Sequence, residues 1–208
     1  MSGAVRDAVE RVRAGGLVGY PTETVWGLGA DACSDAAVAS LRRWKGRADD
    51  APISVLVDAP AALAALGCQP ERAARRLAAA FWPGPLTLVV RPARRFAAGI
   101  ARDDGAVGLR CSSHPLAAAF AARLAHAGVG PVTATSLNHS GSPAARSERE
   151  ARALCAGEGA PALLDAGADA GGARESTVVD LTGPQPRVLR WGAVTRDELA
   201  PLLEEASA

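Results

Sequence analysis

Apolar residues recur at helical spacing at Val5, Val9 and Val12, with charges between them. This predicts an amphipathic helix over 5–14, stopped by Gly15-Gly16. The period then changes. Leu17 to Tyr20 is a short apolar strand, and Pro21 fixes φ and removes a donor. Thr22-Glu23-Thr24 separates it from a second apolar run, Val25 to Ala30. A hydroxyl-rich turn between two apolar runs predicts a strand-to-strand connection lining a pocket. Gly27 and Gly29 leave room there for a ligand or a second backbone to come close. A plain hairpin with a threonine-rich turn accounts for the same pattern.

Ser34 reads as an N-cap, with Asp35 in the first turn of a helix that runs to Lys45 and stops at Gly46. A loop follows to Pro52, then a β-branched strand, Ile53 to Val57. A short helix is expected over 60–66 and a longer one over 70–81, before Pro83-Gly84-Pro85 breaks the chain. Leu86 to Val90 is nearly all apolar, which predicts a buried strand. Further strands are expected at 106–110, 131–135, 162–164, 177–181 and 187–189. Helices are expected at 115–127, from the Ser147 cap to Leu154, and from the Thr195 cap to about Glu204. Ala166 to Ala173 reads as a flexible loop. Strands and helices mix without strict βαβ alternation, repeat or linker. The expectation is a single α/β domain over 1–208, with a twisted sheet of mixed parallel and antiparallel strands flanked by helices.

Composition narrows the function. The chain has 208 residues, 49% of them hydrophobic but only 4% aromatic, so its core must be built mainly from Ala, Val and Leu. A net charge of +1 argues against nucleic-acid binding driven by bulk electrostatics. Cys33, Cys68, Cys111 and Cys155 form no C-x-x-C pair, and the three histidines add no metal-ligand spacing. Such cysteines are expected to be buried small hydrophobes in a reduced compartment. The N-terminus has no long apolar segment and no run reaches membrane-spanning length, so a soluble, cytoplasmic protein is expected.

P-loop, dinucleotide-binding and nucleophile-elbow motifs are absent. What remains is a set of polar residues at the ends of predicted elements. Lys45 and Arg47 sit two apart where a helix gives way to a loop, so both could converge on a polyphosphate. A solvated basic helix end accounts for them too. Arg110 ends a strand, Ser136 and Asn138 sit two apart after another, Ser176 starts a third, and Arg190 ends a fourth. Surface ion pairs and ordinary turn chemistry explain each singly. Jointly they place a cation or hydroxyl at the end of nearly every strand, where open α/β sheets bind ligands.

The chain resembles the YrdC/TsaC-like family, the threonylcarbamoyl-AMP synthases. The resemblance is carried by PTETVWGLGA, the K-x-R of Lys45-Gly46-Arg47, FWPGPLTLVV, VGLR, the S-x-N of Ser136-Leu137-Asn138, STVVD and LRWGAV, in the family's order. It implies a YrdC-like α/β domain with a large concave basic cavity. It also implies synthesis of threonylcarbamoyl-adenylate and pyrophosphate from L-threonine, bicarbonate (or CO2) and ATP, with Mg²⁺ carried by the nucleotide. The product would pass to a partner complex for threonylcarbamoyladenosine modification of tRNA. By resemblance, Lys45 and Arg47 are catalytic and contact the nucleotide phosphates, with Ser136, Asn138 and Arg190 also on ATP. Thr24, Arg110 and Ser176 would form the threonine site. The chain departs from the family at Ala51, where Asn is frequent, at Leu56, where His is frequent, at Pro143 to Arg146, and at Trp26, where Tyr is commoner. Two other readings are a double-stranded RNA-binding protein without synthase activity and a carbamoyl-adenylate-forming paralogue with another acceptor.

Overall fold

The computed structural model describes residues 3–46, 52–69, 71–164, 167, 170–172 and 174–206. Helix α1 (Gly3–Arg13) buries Val5, Ala8, Val9 and Val12, the face its periodicity predicts. Strands β1 (Val18–Tyr20) and β2 (Gly27–Gly29) form the expected antiparallel hairpin. Ser34 caps helix α2 (Asp35–Lys45) by accepting from the Ala37 amide, and Gly46 ends it in the left-handed region at φ 61°. Strand β3 (Val55–Leu56), helices α3 (Ala62–Ala65) and α4 (Glu71–Phe81), and strand β4 (Leu86–Val90) follow. Every residue of β4 is buried, as its apolar run requires. Next come β5 (Val107–Arg110) and α5 (Pro115–His126).

The segment 131–135, expected as one strand, is divided between two. Strand β6 (Val132–Thr133) pairs with β3, whereas β7 (Thr135–Ser136) pairs with β2. Ala134 makes the crossing, and its amide donates to Ser54 O at 2.6 Å. Beyond it lie α6 (Glu148–Leu154) with a Ser147–Glu150 capping box, β8 (Ala162–Leu163), β9 (Thr177–Asp180), β10 (Arg187–Arg190) and α7 (Arg196–Ala206).

Strand directions are mixed, as expected, and the strands are shared between two sheets. The order is β7-β2-β1-β8 in one and β10-β9-β4-β5-β3-β6 in the other. Three pairs are parallel (β1 with β8, β3 with β5, β4 with β9) and the rest antiparallel, the two kinds alternating across the six-stranded sheet. Helices α1 and α5 pack together through Val5, Val9, Val12, Phe120 and Leu124 over Tyr20 of β1. A larger cluster joins Trp26, Leu28 and Leu41 to Leu77, Leu88 and Leu109. Cys68 and Cys111 are buried and Cys155 is half-buried, with none of the four in a disulfide. Cys33 is exposed, contrary to expectation, because it lies in the turn before α2 rather than on an apolar face.

Two glycines mark close approaches. A Cβ at Gly27 would come within 2.7 Å of the Tyr20 ring, so the space there serves a neighbouring side chain rather than a second backbone. A Cβ at Gly192 would fall 2.6 Å from Ser176 O, against backbone that cannot swing aside. The Gly192 amide donates to Thr177 Oγ1 at 2.9 Å, and the Ala193 amide to Glu175 O at 2.9 Å. Gly192→Ala is therefore expected to destabilise the protein by about 1–3 kcal/mol through overpacking. A urea midpoint equal to that of the unaltered protein would refute this.

Candidate functional site

The two sheets face each other across a cavity of about 250 Å³. One wall is a single cross-strand row. Leu56 pairs with Arg110, Arg110 with Thr87, Thr87 with Val178, and Val178 with Arg190. Residues in register share a sheet face, so the row turns all five side chains toward the cavity, and all five line it. The register shifts between Val188 and Arg190, a bulge-like irregularity of the kind that re-aims a side chain beside a site. The opposite wall comes from the hairpin and the crossing strand, including Thr22, Trp26, Thr135 and Ser136.

Arg110 is buried and holds the hairpin turn. Its Nη2 donates to Thr24 Oγ1 at 2.6 Å and to Glu23 Oε1 at 2.9 Å, with a longer contact of 3.4 Å to Thr22 Oγ1. The other Glu23 oxygen accepts from the Ser112 hydroxyl. Burial is the largest influence on the Glu23 carboxyl and opposes its ionisation. The Arg110 charge, with the Ser112 and Arg110 hydrogen bonds, outweighs burial and holds the pKa below the ordinary carboxylate value. Both Nη2 hydrogens are thus engaged within the protein, which leaves Nη1 and Nε for anything in the cavity. Thr24 is fully buried and stands behind Thr22, which is the hydroxyl of this turn on the cavity wall. Within the 166–173 loop, residues 166, 168, 169 and 173 lie outside the described residues. Gly171 and Gly172 donate to Thr22 O at 3.0 Å and Thr24 O at 3.2 Å.

Ser176 and Arg190 form a second polar group. The Ser176 and Thr87 hydroxyls are 2.9 Å apart. Arg190 Nη2 donates to Ser176 Oγ at 3.1 Å and Ser176 O at 3.0 Å, and Nη1 pairs with Glu175. Ser176, Arg190, Thr87 and Glu175 all line the cavity.

Lys45 forms a third. It is 3% exposed, and its Nζ donates to Ser136 O at 2.6 Å, Asn138 O at 2.9 Å and Asn138 Oδ1 at 2.9 Å. The loop answers from its side. The Ser140 amide donates to Lys45 O at 2.7 Å, and His139, its ring stacked near Trp44, bonds Trp44 O through Nδ1 at 2.8 Å. Ser136 Oγ donates to Asn138 Oδ1 at 2.6 Å. Ser136 lines the cavity, and Lys45 and Asn138 support it from outside that wall. A solvated helix end therefore does not describe Lys45. Arg47, together with Ala51, lies outside the described residues.

The structure thus brings Arg110, Ser136, Ser176 and Arg190 to one cavity and places Thr24, Lys45 and Asn138 one layer out. Sequence reasoning missed Thr22, Thr87, Glu23, Ser112 and Glu175. Thr87 did leave a signal, as the lone hydroxyl within the buried run Leu86 to Val90. No group of three or more metal-ligating side chains occurs among the described residues. Nor, among them, is any helix long and apolar enough to cross a membrane.

A family model described as Sua5_yciO_yrdC, telomere recombination, matches residues 10–192. The chain belongs to the Sua5/YciO/YrdC family. A protein of Mycobacterium tuberculosis (strain H37Rv) is 40% identical over 202 residues, which is 97% of this chain and 90% of that relative. The threonylcarbamoyl-AMP synthase of Chromohalobacter salexigens is 40% identical over 185 residues, 85% of this chain and 92% of its own length. Among solved structures, Pyrococcus abyssi Sua5 complexed with L-threonine superposes with a TM-score of 0.86 at 33% identity. That match covers 97% of this chain and 57% of the Pyrococcus chain. The Sua5/YciO/YrdC fold thus spans nearly all of the sequence, and the motifs PTETVWGLGA, VGLR, S-x-N and STVVD fall on the cavity walls or directly behind them.

Proposed function

We propose that this protein is an L-threonylcarbamoyladenylate synthase, acting within a single domain that spans 1–208. The observation that carries the reading is the cross-strand row, which delivers two guanidiniums, Arg110 and Arg190, with the Thr87 hydroxyl between them, onto one cavity wall. Two separated cations suit two anionic substrates held side by side. Family membership, and a relative solved with L-threonine, support the same assignment.

In the reaction, the threonine amine and CO2 from bicarbonate give a carbamate with loss of a proton. A carbamate oxygen attacks the α-phosphorus of ATP. The bond from that phosphorus to the β-phosphate bridge breaks, and its electrons leave with pyrophosphate. Negative charge builds on the phosphoryl oxygens, so catalysis rests on positioning and fixed positive charge rather than an acid–base pair. Arg110 receives the threonine carboxylate on its Nη1 side, with Thr24 fixing the guanidinium, and Ser176, on the Arg190 side of Thr87, contacts the same amino acid. Arg190 and Arg47 offset charge on the nucleotide, and Mg²⁺ carried in with ATP would supply further positive charge there. Ser136 contacts ATP, and Lys45 and Asn138 hold the strand end that presents it. Transfer of the product to a tRNA-modifying complex in the cytoplasm follows from this reading.

The test is pyrophosphate release and fixation of radiolabelled bicarbonate. Both should require ATP, L-threonine and bicarbonate together. ATP turnover that is unchanged on omitting threonine would overturn the assignment, and fixed carbon found on an acceptor other than threonine would favour a carbamoyl-adenylate-forming paralogue.

A further inference from the structure

Among the described residues, two buried side-chain polar atoms have no hydrogen-bond partner, Trp26 Nε1 and Arg110 Nε. Both belong to residues on the wall of the same cavity. Buried donors in native proteins are almost always satisfied, so a pair of exceptions around one space calls for a common cause. Trp26 is fully buried, and its backbone is fixed. Its amide donates to Ala145 O at 2.9 Å and its carbonyl accepts from Leu137 N at 2.8 Å. The backbone of Trp26 is therefore held in the wall, and the indole moves only about its own side-chain bonds.

We infer that Trp26 Nε1 donates to the side-chain hydroxyl oxygen of the bound amino acid and so determines specificity for threonine. The inference rests on the proposed synthase activity. An indole N–H only donates, so its complement is an acceptor. The other acceptors of the bound amino acid are already engaged, the carboxylate at Arg110 and the carbamate at phosphorus. Trp26 stands beside Thr22 and Val25 on the hairpin wall, next to the turn that Arg110 holds, where the side chain of an amino acid anchored at Arg110 would lie. Because the nitrogen is covered, a ligand meets it only as the ring edge turns into the cavity. Covered from solvent, it has little hydration to lose and gains most of the bond when it does. Valine matches threonine in shape but leaves the donor unmet. An unpaired buried donor rejects an analogue far better than shape alone can.

The test is calorimetric titration of L-threonine and L-valine, with and without bicarbonate, into the unaltered protein and Trp26→Phe. The phenyl ring keeps an apolar wall and removes the donor. Threonine affinity is expected to fall about tenfold to a hundredfold while valine affinity stays the same. Equal losses for both amino acids, an unchanged threonine-to-valine ratio, or an effect confined to bicarbonate dependence would each overturn the inference. Unaltered protein that binds neither amino acid would overturn both the inference and the synthase reading. A second readout needs no substitution. In ¹⁵N-labelled protein, one of the four indole N–H resonances should move downfield with threonine and not with valine. If all four respond alike to the two amino acids, Trp26 does not read the hydroxyl.

Discussion

Lys45→Ala is expected to lower synthase turnover by at least about a hundredfold and to lower stability by about 2–4 kcal/mol. The first part follows from the position of Ser136. Its carbonyl, and both oxygens of Asn138, are gathered by one ammonium, so the strand end proposed to face the nucleotide loses its anchor when Lys45 is removed. The second part follows from burial. With the side chain gone, three oxygens lose a charge-assisted donor at a site where water reaches poorly. A domain stable by about 5–15 kcal/mol survives such a loss, so the variant should still fold at 25 °C. Activity and the urea midpoint therefore fall together in a protein that remains soluble. A midpoint unchanged from the unaltered protein would show that the three contacts contribute nothing. Full turnover in the folded variant would show that the hold of Lys45 on Ser136 does not serve catalysis.

The contrast with a solvated helix end shows where sequence reasoning stops. The signals for α2 are local. Ser34, Asp35 and Gly46 act within a few residues of themselves, and the helix begins and ends where they place it. The partners of Lys45 lie 91 and 93 residues further along the chain, and no local rule reports them. The same distinction holds at the crossing strand. Residues 131–135 have a strand's composition, but whether one sheet or two uses them depends on β2 and β3, which are distant in sequence. The cavity wall is likewise non-local. Arg110 and Arg190 could be singled out as strand-terminal cations, yet their common orientation depends on the register of β3, β5, β4, β9 and β10. Thr87 joins them only through that register. Motif resemblance reached these cavity residues because a motif retains pairings that composition and periodicity cannot express.

Arg110→Gln is expected to abolish threonine-dependent turnover and to destabilise the protein by about 3–5 kcal/mol at neutral pH. Most of the stability loss arises at Glu23 rather than at the substituted residue. In the native protein the Glu23 carboxyl is held below its ordinary pKa. Its contribution is present above the unfolded value of 4.5 and is lost as pH falls through the lower folded value. Removing Arg110 takes away the charge that offsets burial, leaving the Ser112 hydroxyl as the main remaining support. Burial then prevails, and the folded pKa rises above 4.5. In that state ionisation costs stability at neutral pH, and the penalty vanishes as pH falls below the unfolded value. The stability gap between the variant and the unaltered protein should therefore be widest near pH 7 and narrow in acid, as denaturant midpoints measured across pH 4–7 would show. Adding Glu23→Gln to Arg110→Gln removes the stranded charge and should restore most of the stability without restoring turnover. If the double variant stays as unstable as the single one, the loss is one of packing. If it regains turnover, Arg110 is not the group that receives the amino acid's carboxylate.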